Sequence, residues 1–187
     1  MAKFIIFITT FFLALFIIVV MTGFYPVAIV EGTPIFQRTW RKAEDAAKNF
    51  IKAEAVKSGK AIDLSSSENA DFLLEVKRGT LTFLIEDLIL QKEGGKVIDG
   101  FERLNKERVD TALREGENLE QASRLVYGLD LKDFVSLVLL PQARRDVLQE
   151  ALGEKAQDFN VWFLSVKKSK QVRLMFIPFR WDGEVVR

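Results

Sequence analysis

The chain has neither cysteine nor histidine among its 187 residues. Without cysteine there is no disulfide, no thiol nucleophile and no thiolate metal site. Without histidine no side chain titrates unperturbed near neutral pH, and no serine–histidine pair, cysteine–histidine pair or imidazole ligand can be built. Carboxylates and lysines are the catalytic groups that remain, and no motif organises them. The expectation is a protein that is not an enzyme, with no catalytic, cofactor-binding or metal residues and no cofactor. Charge surplus is also missing: 27 basic against 26 acidic residues leave a net charge of +1. No global field favours nucleic acid, which is not expected as a partner. The eleven glycines form no phosphate-binding loop and no dinucleotide fingerprint.

What the chain does have begins at its N-terminus. Phe4 to Phe24 is free of charge and rich in Phe, Ile, Leu and Val. As a helix this run would rise about 31 Å, which matches a hydrocarbon core of about 30 Å. A cleaved signal peptide is the competing reading. Its apolar region is normally shorter and ends in a small-x-small site, whereas this run ends Met-Thr-Gly-Phe-Tyr-Pro. An uncleaved transmembrane anchor over residues 1–25 is therefore expected, holding membrane lipid, with a domain over 26–187. Lys3 favours a cytoplasmic N-terminus and an extracytoplasmic domain, while Arg38, Arg41 and Lys42 pull the other way.

Behind the run, Val27-Ala28-Ile29-Val30 is strand-like, Glu31-Gly32 supplies a turn, and Thr33-Pro34-Ile35 returns, with the proline tolerable only on an edge strand. A helix is predicted over 37–57, with Trp40, Ala43, Ala47, Phe50, Ile51 and Ala55 as its stripe and Gly59 beyond its end. Ser65-x-x-Glu68 has the form of a capping box for a helix over 68–93. Its apolar face is broad enough to be buried on more than one side, and Gly94-Gly95 is expected to stop it. Asp99-x-x-Glu102, Asn118-x-x-Gln121 and Asp130-x-x-Asp133 mark three more helix starts. Pro141 predicts a kink near Leu137. A last helix is placed over 154–168. After it, 171–180 reads as a strand, whose sensible neighbour is 27–35 because an isolated hairpin is marginal in water.

The fold class is thus mainly α: an N-terminal transmembrane helix, then a multi-helix domain with a small β-sheet formed by residues near 27–35 and 172–179. In this order the parts resemble the N-terminal chaperone domain of SurA-type proteins and their PpiD-like and PrsA-like membrane-anchored relatives. The residues carrying the resemblance are the hairpin Val27 to Ile35, the helix Leu84-Ile85-Glu86-Asp87-Leu88-Ile89-Leu90, the short helix and glycine turn from Leu119 through Gly128 to Phe134, and Trp162 followed by Val172-Arg173-Leu174. The resemblance implies a domain that binds unfolded or extended polypeptides in an apolar cradle between helices. In that family a parvulin domain, whose site uses paired histidines, often follows. This chain has no histidine and no stretch left to hold such a domain, so prolyl isomerisation is not expected.

Trp40, Trp162 and Tyr127 read as packing residues, and Trp181 as the aromatic with the best chance of being exposed to a bound polypeptide. Glu86-Asp87 reads as solvated or salt-bridged surface, since helix neighbours point about 100° apart. Arg144-Arg145 and Lys167-Lys168-x-Lys170 read as a solvated face or as complements to helix C-termini. The alternative function is a membrane-anchored scaffold that binds one dedicated partner or a second copy of itself as a homo-oligomer.

Overall fold

The computed structural model describes residues 21–60, 62–64 and 66–187. The expected anchor lies largely outside these residues, as does Ser65 of the expected capping box; among the described residues no helix is long and apolar enough to cross a membrane.

The domain is mainly helical with one three-stranded antiparallel sheet, ordered β2-β1-β3. Strand β1 (Pro26–Val30) and β2 (Thr33–Phe36) close through Glu31-Gly32, both at positive φ (49° and 81°), the combination of a type I′ hairpin turn. Pro34 sits on the sheet's edge strand, where its missing donor faces no neighbour. A bulge near Val27 breaks the period of two and lets Val27 and Ala28 both point into the core. Strand β3 (Val172–Leu174) pairs with β1, Ala28 opposite Leu174 and Val30 opposite Val172. The expected meeting of the two ends of the domain is therefore observed. The strand is shorter than expected, however, because Phe176 takes a left-handed backbone (φ 59°) that ends the ladder. Beyond it, residues 180–187 fold back on themselves, and the Val186 amide donates to Thr82 Oγ1.

Helix α1 (Gln37–Lys57) follows β2 without a loop. Ser66 caps the short 3-10 turn at Ser67–Asn69, its hydroxyl accepting from the Glu68 amide, and α2 (Ala70–Val97) then runs past the predicted stop. Gly94 does not break α2 because it serves packing: a Cβ there would lie 2.1 Å from the Phe101 ring. The predicted cap on α3 (Phe101–Glu115) is also absent; Gly100 at φ 72° turns the chain instead. Short helices α4 (Leu119–Ala122) and α5 (Leu131–Phe134) each lead into a π-helical turn, at 123–127 and 135–139. Asp130 caps α5 as expected, accepting from the Asp133 amide. The second π turn stands where a kink was expected: a helical Pro141 would press its ring on the Leu137 carbonyl, and the widened turn relieves that clash. Helix α6 (Leu140–Glu154) ends where the last helix was expected to begin. That helix, α7 (Phe159–Ser169), starts later, capped by Asp158.

The main core lies between the sheet, α2, α6 and α7, with Leu81, Ile85, Ile89, Leu90, Leu148 and Leu152 almost wholly buried. A second, smaller cluster of Ala46, Leu129 and Phe134 sits under the π turns. The acidic pair on α2 is not solvated. Asp87 receives Arg144 at 2.6 Å, with both side chains nearly buried, and Glu86 binds Lys167 at 2.7 Å and Arg145 at 3.3 Å. Neighbours 100° apart on one helix thereby address different partners. Lys167 and Lys168 stand in the last turn of the final helix, as expected of complements to its C-terminus, but Arg144, Lys167 and Lys170 are also internal ties and not a solvated face, Lys170 reaching Glu93 at 2.6 Å, whereas Lys168 stays exposed against Glu184.

Candidate functional site

An apolar groove of about 480 Å³ opens where α1 and α2 diverge. Ala43, Ala46, Ala47 and Phe50 form the α1 wall, and Gly79, Thr80 and Phe83 the α2 wall. Tyr127, Leu137 and Val138, all from the π turns, form the floor. The small residues on α1 make the space, since three alanines stand where larger side chains would fill it. Phe50 and Phe83 flank the groove at 39% and 36% exposure.

The lining offers almost no free polar group. The Thr80 hydroxyl donates to the Val76 and Lys77 carbonyls and accepts from Trp40 Nε1, so it is already committed. Tyr127 stacks on Phe50 at 5.4 Å between ring centres and tilts against Phe134 at 5.3 Å. Burial, with Glu54 adding to it, raises the Tyr127 phenol above its ordinary pKa, so it stays neutral. A groove with this lining selects for apolar side chains and against small polar metabolites.

Close backbone approach holds the floor in place. Asn49 Nδ2 donates to the Tyr127 carbonyl at 3.2 Å, and a Cβ on Gly128 would stand 2.4 Å from that nitrogen. A Cβ there would push the Asn49 amide off the Tyr127 carbonyl, and the φ of 68° independently favours glycine. Lys42 on α1 pairs with Asp133 on α5, tying the same two parts together.

Helix α2 explains why the groove is open. Its buried face carries Leu81, Ile85 and Ile89, while Phe72, Val76, Gly79 and Phe83 recur at helical spacing on roughly the opposite side. Leu90 continues that back stripe and is buried, so the C-terminal half of the helix is covered on both sides. Nothing covers Phe72, Gly79 and Phe83, which are exposed. The broad face is therefore buried on two sides only along its second half.

Two other cavities mix apolar walls with charged side chains. One of about 520 Å³ between α3 and α6 is bridged by Arg108 and Glu150, whose two hydrogen bonds of 2.8 Å hold the glutamate carboxyl below its ordinary pKa. The other, about 450 Å³, lies on the far side of Phe83 among Glu75, Arg78 and Arg187. Among the described residues no three acidic side chains are placed to hold a metal ion.

The chain matches no family model, no curated protein and no solved structure.

Trp181, the one aromatic singled out as exposed, is half-buried against the main core, paired through its backbone with Val186. It is not part of the groove. Trp40 is buried and hydrogen-bonded to the Lys77 carbonyl at 3.1 Å, and Trp162 packs on Phe159 and Phe163, both as expected of packing residues. Of the groove residues on α2, Thr80 belongs with Val76 to the helix's expected apolar stripe, whereas Gly79 and Phe83 lie outside it. The 72–79–83 spacing, opposite Leu81, Ile85 and Ile89, is the sequence signal that points to them.

Proposed function

We propose that this is a membrane-anchored, ATP-independent chaperone-like protein with a SurA-N-like domain, binding unfolded or extended polypeptides outside the cytoplasm without prolyl isomerase activity. One observation carries the reading: an open groove with almost wholly apolar lining, flanked by two part-exposed phenylalanines, in which the Tyr127 hydroxyl is the one polar side-chain group among the described lining residues left without a partner. An apolar side chain of an extended chain settles between Phe50 and Phe83, and its release needs no chemistry. Each such contact is weak, so binding is reversible and tolerant of sequence. Anchoring by the Phe4–Phe24 run raises the effective concentration of the groove near the membrane.

The test is suppression of aggregation of a heat-denatured client by the full chain in lipid nanodiscs. A Phe50→Ser, Phe83→Ser variant that keeps its helical circular dichroism should hold clients about tenfold more weakly, from loss of two aromatic contacts. Absence of suppression by the unmodified protein at several-fold molar excess sinks the reading, as does an unchanged double variant.

The second reading, a scaffold for one dedicated partner or for itself, is favoured by the Phe72–Val76–Gly79–Phe83 stripe, whose spacing suits an apposed helix. Concentration-dependent self-association lost in Phe72→Ser, without any client holding, would select it.

A further inference from the structure

We propose that one end of the β-sheet is a lipid-docking surface that lays the domain against the bilayer, with Phe24, Phe36 and Phe176 in the interface and Arg38 and Arg41 on anionic headgroups. This rests on the anchor reading of the apolar run. Antiparallel pairing brings the start of β1, the end of β2 and the end of β3 to one end of the sheet. That end carries Phe24, Phe36 and Phe176 at 55%, 36% and 76% exposure, beside Met21 at 79%. Phe24 meets Phe36 edge-on at 6.4 Å, and Phe176 meets Tyr25 in the same way at 6.2 Å, so two aromatic pairs stand at this end of the sheet. It adjoins the point at which the charge-free run reaches the domain.

Three further features fit this occupant. The junction is rigid: the Gln37 and Arg38 amides donate to the Tyr25 and Gly23 carbonyls at 3.0 and 3.1 Å, and a Cβ on Gly23 would crowd Arg38 N at 3.2 Å. The first turn of α1 holds no acid and carries the exposed Arg38 and Arg41 at the positive end of the helix dipole, the wrong sign for helix stability. Neither arginine has an ion-pair partner among the described residues; Arg38 lies over the Phe24 ring at 5.7 Å. Unspent positive charge among aromatics matches an anionic lipid interface. Finally, Phe176 holds a left-handed backbone that a bulky residue rarely adopts, at a site where burial does not repay the strain.

Because the chain lacks cysteine, single labels can be placed cleanly. The full chain carrying Phe36→Cys or Phe176→Cys with an environment-sensitive fluorophore is reconstituted in phosphatidylcholine vesicles with a minor fraction of phosphatidylglycerol. Val56→Cys and Leu125→Cys are the controls, Val56 lying about 27 Å along α1 from Arg38. The expected result is several-fold stronger quenching by brominated lipid at 36 and 176 than at 56 and 125, weakened by Arg38→Gln with Arg41→Gln. Flotation with the vesicles but equal quenching at all four sites overturns the docking and leaves the anchor standing. Failure to float overturns the anchor and the docking together. Shielding at 176 that grows with protein concentration and ignores brominated lipid means a second copy covers the patch, and also overturns the proposal. Quenching indifferent to both arginines overturns the headgroup contact.

Discussion

The two sides of α2 are built differently. Among the described residues, one continuous cluster of eighteen buried residues is centred toward the sheet, α6 and α7, with Trp40 and Ala43 of α1 and Phe101 of α3 joining it, and it is tied by ion pairs with little exposure. Toward α1 and the π turns, three buried residues form the cluster, and helices of four residues alternate with π turns of five. The first side is held by burial. The second is held by particular backbone contacts, such as Asn49 to Tyr127 and the Asp130 cap, around a groove left unfilled. Sparse burial is the mark of segments that open locally before the whole domain unfolds, which suits the proposed exchange of differing chains at the groove.

Ion pairs test this contrast most severely. Arg144→Ala leaves Asp87 nearly buried without its partner and should cost about 3–5 kcal/mol in denaturant unfolding. Burial already pushes the Asp87 carboxyl above its ordinary pKa despite the pull of Arg144, so without the arginine it protonates readily and the deficit should shrink in acid. Lys42→Ala breaks the half-exposed pair to Asp133 on the groove side and should cost less than about 1 kcal/mol. Equal costs would erase the distinction between the two sides.

Two glycines on α2 give the next test. Gly94→Ala drives a methyl group into the Phe101 ring and should destabilise by about 1–3 kcal/mol. Gly79→Ala meets nothing within 4 Å and should stabilise by about 0.5–1 kcal/mol through helix propensity, while narrowing the groove and weakening client holding. Thermal melts of the pair should move in opposite directions.

The smallest effect is in acid. Burial alone would raise the Glu93 carboxyl, but hydrogen bonds from Lys170 and Lys96 outweigh it and hold the pKa below the ordinary 4.5. A depressed carboxylate contributes stability that is fully present above its unfolded pKa and is lost as pH falls through the folded value. Glu93→Gln should flatten the acid limb of stability against pH between the ordinary 4.5 and the lowered folded value. An unchanged limb would mean that the two lysines do not favour the ionised form.

Much of the fold was legible because it rests on local chemistry. Glu31-Gly32 could only be a tight turn, Pro34 only an edge residue, and the α1 stripe ends where Ser58 and Gly59 stop it. Asp130 caps because its side chain reaches the amide three residues on. The failures share a different cause. Gly94 looks the same in sequence whether it ends a helix or admits a ring, and the ring belongs to another helix. Asp87 and Arg144 are 57 residues apart, so nothing near either predicts the pair. Phe176 ends β3 by a backbone conformation that no local rule assigns to phenylalanine. The groove is the hardest case, since it depends on where α1 and α2 part.

The pairing of β1 with β3 also imposes an order of events on synthesis. The amide of Gln171 bonds Glu31 across 140 residues, and β3 follows it. A nascent chain can form its β1–β2 hairpin as soon as that stretch emerges, yet one edge of β1 then offers unpaired amides and carbonyls until nearly the whole domain has been made. During that interval the protein is itself an extended polypeptide with an open strand, in need of the kind of shelter its groove is proposed to give.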